Sequence, residues 1–160
     1  MSQAWVEFEE RSVQEGFPGF HWQRFAEPSP RTLPMVALTR ARVALVSTAG
    51  AHLTREDRFA RGDAGDDSFR RIPSSTPKAS VMLTHPGYDT RRAREDVDVV
   101  FPLAALARMA ERGVIGSSAA TAYSWMGYVP DPVRLVSERA PMMARELVAD
   151  AVDLVLLVPA

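Results

Sequence analysis

The sequence predicts a three-layer α/β domain with a mainly parallel sheet, Rossmann-like or flavodoxin-like, preceded by an aromatic-rich N-terminal arm. Two observations favour this fold class. The run Leu154 to Val158 is almost wholly apolar, which is typical of a strand covered on both faces, as strands of parallel sheets are. The helix predicted over 141–150 comes directly before that run, so helix and strand form half of a βαβ unit. We assign 1–35 to the arm and linker and 36–160 to a single α/β domain.

The N-terminal arm is defined by its aromatic side chains. Six of them fall within residues 1–25: Trp5, Phe8, Phe17, Phe20, Trp22 and Phe25. Ser2 is a candidate N-cap for a short helix, which the breakers Gly16, Pro18 and Gly19 end. Large exposed aromatic groups need a cover, so we expect the arm to pack on its own domain or on a partner subunit. The linker that follows is marked by Pro28, Pro30 and Pro34.

The first half of the domain predicts two short strands separated by polar segments. Val43 to Val46 is a continuous apolar run and predicts a buried strand. Residues 54–78 are dense in charge and predict a long loop. Ser80 to Thr84 predicts a second strand, which stops at the turn signal His85-Pro86-Gly87. Residues 89–98 predict another charged loop.

The second half alternates helices and strands. Pro102 opens a helix that Gly113 closes, with apolar positions at helical spacing: Leu103, Leu106, Ala107 and Ala110. Brief strands are predicted at 114–116 and 124–128, and Asp131 is expected to cap a helical turn opened by Pro132. The last helix starts near Pro141, and the residues expected to face inward are Ala144, Leu147, Val148 and Ala151.

Composition excludes several function classes. The chain has 19 basic and 20 acidic side chains, whereas a dedicated nucleic-acid binder carries a basic excess. No apolar run approaches the roughly 20 residues that span a bilayer, and no secretory signal is evident, so we expect a cytoplasmic protein. The chain has no cysteine, which excludes a disulfide, a thiolate nucleophile and a cysteine-bound metal within this sequence.

No cofactor or metal is expected from the motifs. The sequence has no GxGxxG and no GxxxxGK[ST], so a dinucleotide or P-loop site is not supported. It also lacks the HxH and HExxH spacings of metal sites. A metal held by histidine with Asp89 is the less favoured alternative.

Ligands of open α/β sheets bind outside the carboxyl ends of the strands, which selects the candidate site. His85 and His52 follow predicted strands, and a free imidazole titrates near neutrality, so both are candidate general acids or bases, with Tyr88 and Asp89 beside His85. The candidate substrate-binding residues are Gly50, Ser124, Met126, Gly127 and Arg70. The structural alternatives are imidazoles that bond a loop backbone and glycines that adopt positive φ in turns.

Seven collinear segments carry a family resemblance. They are ARVALVSTAGAHL (41–53), GDDSFRRIP (65–73), THPGYD (84–89), DVDVVFPL (96–103), GVIG (113–116), YSWMGY (123–128) and AVDLVLLVP (151–159). In this order the sequence resembles the selenoprotein B family of glycine, sarcosine, betaine and D-proline reductases. The resemblance implies an oligomeric complex that reductively cleaves a carbon–nitrogen bond of an amino acid or betaine. It also implies a reactive selenocysteine or cysteine directly after the strand that ends at Pro159.

Ala160 stands where that reactive residue would follow, so the resemblance leaves several functions open. The favoured one is a subunit of a reductase-like oxidoreductase acting on a small amino-acid-like substrate. Its cysteine or selenocysteine would come from a partner in a homo- or hetero-oligomer, or be missing because the chain is cut before it. The alternatives are a stand-alone enzyme with non-redox histidine acid/base chemistry on a small molecule, and a catalytically silent scaffold subunit.

Overall fold

The structure is a computed structural model that describes residues 3–16, 18, 21–22, 26, 32–85 and 87–160. It divides into two units, 1–32 and 33–160. Some residues named above lie outside the described ones: Ser2, Phe17, Gly19, Phe20, Phe25, Pro28, Pro30 and Pro86.

The first unit contains helix α1, Gln3–Gly16, which confirms the predicted N-terminal helix. The rings of Trp5 and Phe8 contact each other with centroids 5.7 Å apart. Both side chains stay about half exposed, at 49% and 56%. That the arm packs on a domain or a partner therefore stays a prediction.

The second unit is built on a mainly parallel sheet around β1, Arg42–Ser47. β1 pairs in parallel with β5, Ser117–Ser118, and β6, Thr121–Trp125, on one side. It pairs in parallel with β7, Leu154–Val158, through five residue pairs from Val43↔Leu154 to Ser47↔Val158. β3, Phe69–Pro73, joins β6 in antiparallel fashion. The α/β class with a mainly parallel sheet is confirmed, while the Rossmann-like or flavodoxin-like topology stays a prediction.

The two faces of the sheet carry different helices, because alternate residues of β1 point to opposite faces. Val43 and Leu45 belong to one core cluster, together with Leu103 and Leu106 of helix α3, Leu103–Glu111. Val46 belongs to the other cluster, with Met143 of helix α4, Ala140–Ala149. The helix predicted after Pro102 is thus confirmed, and helices cover both faces of the sheet.

A second sheet corrects the prediction for residues 80–84. The strand is present as β4, Val81–Leu83, but it pairs antiparallel with β2, Ala51–Leu53, outside the main sheet. Its shortness and apolar content matched a sheet strand, but those properties do not select the partner strand.

The two charged segments hold more regular structure than the predicted loops. Residues 54–78 contain β3, and residues 89–98 contain the short helix α2, Arg91–Glu95. The loop prediction failed at β3 because the strand carries two arginines, and Arg71 is exposed while Ile72 is fully buried. The strand predicted over 114–116 is found directly after those residues, as β5. Gly116 itself packs against the backbone of Arg40.

The inward face of α4 differs from the predicted one. Asp131 accepts a hydrogen bond from the backbone N–H of Val133, as expected of a cap. A π-helical turn, Leu135–Arg139, then leads into α4. Met143 is buried, but Val148 is 78% exposed, and Ala144 and Ala151 are exposed too. Apolar residues occupy more than one side of this helix, so the helical period alone could not select the buried face.

β7 is less covered than its sequence predicted. β1 is the strand that pairs with it in the described part of the chain, so β7 forms an edge. Leu157 is 69% exposed, Leu156 39% and Val155 40%. An apolar run indicates that burial is favourable, but it does not state which molecule supplies the cover.

No helix within the described residues combines the length and the apolarity needed to cross a membrane.

The position of β7 at the edge predicts two very different effects of leucine truncation. Leu45→Ala should lower the free energy of unfolding by about 2–5 kcal/mol, because Leu45 is fully buried and a cavity would remain. Leu157→Ala, the matched control, should change it by less than about 1 kcal/mol, because most of the side chain already contacts solvent. Urea unfolding followed by circular dichroism measures both. A loss at Leu157 as large as that at Leu45 would show that β7 is covered.

Candidate functional site

Three parallel strands end together at one edge of the main sheet. The backbone N–H of Thr48 donates to the carbonyl of Val158 at 3.1 Å, and that of Gly50 donates to the carbonyl of Trp125 at 2.7 Å. The Thr48 hydroxyl accepts from the N–H of Ala160 at 2.9 Å. We call this edge, formed by residues 47–50, 125–127 and 158–160, the carboxyl edge.

His85 lies at the carboxyl edge. Its Nδ1 accepts a hydrogen bond of 2.9 Å from the N–H of Gly87, and its ring contacts the Tyr88 ring with centroids 4.6 Å apart. A Cβ built on Gly127 would lie 2.8 Å from His85 Nε2 and 2.9 Å from the Thr48 carbonyl oxygen. The imidazole therefore lies directly against the strand ends, in space that only a glycine at position 127 leaves open.

The environment of His85 favours a neutral ring. Burial lowers the pKa of His85 below the ordinary value of 6.5. Because Nδ1 accepts from Gly87, the proton of the neutral ring is assigned to Nε2. Nε2 is buried and has no hydrogen-bond partner among the described residues. The arrangement therefore leaves one buried N–H at the carboxyl edge that bonds to no described residue.

Tyr88 and Asp89 differ in what they contact. The Tyr88 hydroxyl donates to the carbonyl of Ala49 at 3.2 Å, and burial raises the pKa of Tyr88. Tyr88 thus anchors the His85 loop to the end of β1. Asp89 is exposed and accepts from the backbone and guanidinium of Arg91, which lowers the pKa of Asp89. Its contacts stay within its own turn.

His52 has both ring nitrogens engaged. It is 1% exposed, its Nε2 lies 2.9 Å from the Thr84 hydroxyl, and its Nδ1 lies 2.9 Å from the carbonyl of Leu53. Its ring meets Phe59 edge-on. These contacts are those of a histidine that holds β2 to β4, so a catalytic role for His52 stays a prediction.

Three of the candidate substrate-binding residues have structural contacts at the carboxyl edge or directly beside it. The Ser124 hydroxyl accepts from the N–H of Ala51 at 2.8 Å, and Met126 is fully buried. Gly50 has φ +67°, and a Cβ there would overlap the carbonyl of Thr84. Arg70 contacts a different region, since it donates to Ser68 and lies 4.1 Å from the centre of the Phe59 ring.

A groove of about 590 Å³ adjoins His85 between β4 and α2. Three arginines from the two predicted charged loops line this groove: Arg58, Arg61 and Arg94. The density of arginine around 55–61 was a signal, but charged loops are so often solvated surface that it singled out no site. No group of three or more metal-ligating side chains occurs within the described ranges.

Comparison with known proteins decides the family. The family described as glycine/sarcosine/betaine reductase selenoprotein B matches residues 24–160. The chain belongs to this selenoprotein B family. The matched range includes every segment that carried the resemblance, which is thereby confirmed.

A curated relative supports the assignment to the selenoprotein B family. The D-proline reductase subunit gamma of Acetoanaerobium sticklandii is 36% identical over 115 residues, which is 72% of this chain and 47% of the relative. The chain therefore spans about half the length of the relative it matches. No solved structure matches the chain significantly.

The contact between Gly127 and His85 predicts a specific effect of an added methyl group. Gly127→Ala should destabilise the protein and change the NMR signals of the His85 ring, because the new Cβ would overlap Nε2. Gly113→Ala is the matched control, since Gly113 also has positive φ, at +68°, but nothing lies within 4 Å of its would-be Cβ. Denaturant unfolding measures the stability of both variants, and NMR spectra of the imidazole signals report on the His85 ring. Unchanged His85 signals in Gly127→Ala would contradict the contact.

The lowered pKa of His85 predicts a pH dependence of stability. Below pH about 6.5 the unfolded chain binds a proton that folded His85 resists, so stability falls as the pH drops from 6.5 through the folded pKa. His85→Gln removes this titration, and its free energy of unfolding should therefore fall less over the same interval. Denaturant unfolding of both proteins at pH 7.5, 6.5 and 5.5 measures the difference. Parallel curves would refute the assignment.

Proposed function

We propose that this chain is a subunit of a reductase complex that cleaves a carbon–nitrogen bond of a small amino-acid-like substrate. The observation that carries the proposal is membership of the selenoprotein B family over residues 24–160. The relative from Acetoanaerobium sticklandii is by its description a subunit of a D-proline reductase, which makes D-proline the first substrate to test. The carboxyl edge with His85 is the proposed place of the reaction.

The chemistry is a two-electron reduction. The substrate C–N bond breaks, the carbon and the nitrogen each gain a hydrogen, and a dithiol donor is oxidised to a disulfide. The sequence contains no thiol, so the sulfur or selenium nucleophile of this step is proposed to come from a partner subunit or from a segment not in this sequence. It would meet the substrate where Thr48 bonds Val158 and Ala160.

His85 is the proposed hydrogen-bond donor to the departing nitrogen. Its Nε2 carries the proton of the neutral ring, bonds to no described residue and faces the strand ends. Burial lowers the pKa of His85, so the ring stays neutral and keeps its Nε2–H, which stabilises the nitrogen by a hydrogen bond as the C–N bond breaks. Tyr88 then acts as a positioning residue, because it ties the His85 loop to Ala49.

The exposed side of β7 supports a partner at the same place. Leu157 and its neighbours present apolar side chains on an edge strand, and a strand with an open edge and apolar surface favours pairing with another chain. The strand ends at Val158, which lies at the carboxyl edge, so a partner seated along β7 would reach that edge.

The same His85 supports a second candidate function, a stand-alone enzyme with acid/base chemistry on a small molecule. The observation that favours it is that His85 is one of the residues lining a groove of about 590 Å³. A catalytically silent scaffold is the third candidate, and it requires neither His85 nor the groove.

Isolation of the native assembly tests the favoured function. A tagged copy of the chain, expressed in its source organism, should elute as a species larger than one subunit and bring down a polypeptide carrying cysteine or selenocysteine. The assembly should consume D-proline with a dithiol such as dithiothreitol. A chain that elutes alone and turns over D-proline without any thiol would instead support the stand-alone enzyme.

A variant at His85 separates catalysis from a scaffold role. In the active assembly, His85→Ala should lower kcat by about 100-fold, the usual scale for one lost preorganised hydrogen-bond donor. His21→Ala is the control, because His21 lies in the first unit and its side chain is 75% exposed. Equal rates for wild type and His85→Ala would remove His85 from the mechanism and favour the scaffold.

A further inference from the structure

The groove beside His85 has the size of a small-molecule site. Its volume is about 590 Å³, within the roughly 300–1,000 Å³ usual for ligand pockets. One wall is β4 with Thr84 and His85, and the opposite wall is the region of α2 and the turn after it. His85 is therefore one of the residues that a ligand in the groove would lie beside.

The charge of this groove is not balanced within the molecule. Four cationic side chains line it, Arg58, Arg61, Arg94 and Lys78, against two carboxylates, Glu95 and Asp96. Lys78 is already neutralised, because its ammonium lies 2.8 Å from Asp96 and 2.8 Å from Asp98. The groove keeps an excess of positive charge carried by the three arginines.

Six of the fifteen arginines of the second unit are paired with carboxylates of described residues. The paired ones are Arg42, Arg71, Arg91, Arg108, Arg134 and Arg139. The guanidinium groups of Arg58, Arg61 and Arg94 have no carboxylate within 4 Å among the residues the structure describes. Three unpaired guanidinium groups that line one groove attract an anion, and their planar donors fit a carboxylate in bidentate fashion.

We propose that this groove binds the carboxylate of a small amino-acid-like ligand and presents the rest of that ligand to His85. The identity of the ligand as substrate rests on the function proposed above, whereas carboxylate binding rests on the groove itself. Glu95 favours a zwitterion, which has no net charge, over phosphate, because its negative charge repels a dianion and attracts an ammonium group. The arginines act in binding and the histidine in catalysis.

Four probes test the chemistry of the site. D-proline carries both a carboxylate and an ammonium group, cyclopentanecarboxylate keeps the carboxylate alone, D-prolinamide lacks the carboxylate, and inorganic phosphate is a different anion. NMR titration of the arginine side-chain N–H signals of the full chain at low salt measures their binding. D-proline and cyclopentanecarboxylate should give saturable shifts at Arg58, Arg61 and Arg94, and D-prolinamide should bind at least about tenfold more weakly.

Single substitutions locate the site. Arg58→Gln, Arg61→Gln and Arg94→Gln should each weaken binding of the carboxylate probes by about tenfold. Arg112→Gln and Arg145→Gln are the controls, since both residues are exposed and lie outside the groove. Circular dichroism checks that every variant keeps its fold, which is expected because all five side chains are on the surface.

Each outcome separates this inference from the proposed function. Cyclopentanecarboxylate that binds while D-proline does not would support the groove and contradict D-proline as the substrate. Absence of binding by both carboxylates, equal binding by all variants, or phosphate that binds more tightly than either carboxylate would overturn the inference. None of these results depends on the reductase activity of an assembly.

Discussion

The parallel pairing of β1 with three other strands is the constraint on which the rest of the structure depends. Parallel strands end at the same edge, so pairing with β6 and β7 brings residues distant in sequence to the carboxyl edge. Thr48 completes the edge, because its backbone bonds Val158 and its hydroxyl bonds Ala160. Ser47, directly before it, is fully buried and donates to the carbonyl of Val100, which fastens β1 to the chain before α3.

Two histidines of similar sequence context have different surroundings. His52 lies inside the small β2–β4 sheet, where Thr84 and Leu53 occupy both of its ring nitrogens. His85 lies just past β4 and uses only Nδ1, toward Gly87. The position of the His85 ring depends on the end of β6, because Gly127 has no side chain and so leaves room for the ring. A neutral histidine whose N–H bonds to no described residue at a strand end can donate a hydrogen bond to a ligand, and one with both nitrogens bonded suits packing.

Charge and apolar surface are both distributed unevenly around this edge. Six of the fifteen arginines of the second unit meet carboxylates in the described part of the chain. One of them, Arg71, joins β3 to α4 through Glu146, and the Tyr123 hydroxyl lies 3.2 Å from the same carboxylate. Burial and Glu146 raise the pKa of Tyr123 to about 12, so this group stays protonated and structural. The groove arginines have no such partners, and β7 leaves its apolar side chains open. Excess positive charge in the groove beside His85 and exposed apolar side chains on β7 are the two features on which the proposed ligand and partner rest.

The sequence by itself determined the fold class, the helix after Pro102, the strand positions of β1 and β7 and the family, because these depend on local apolar patterns and on motif residues in order. Only the tertiary structure decided which strand β4 pairs with, which side of α4 is buried, that β7 is an edge, and that three loop arginines line one groove with His85. The physical reason is that composition and period state how strongly a segment favours burial or pairing. They do not state the partner, since that depends on contacts between residues far apart in the chain.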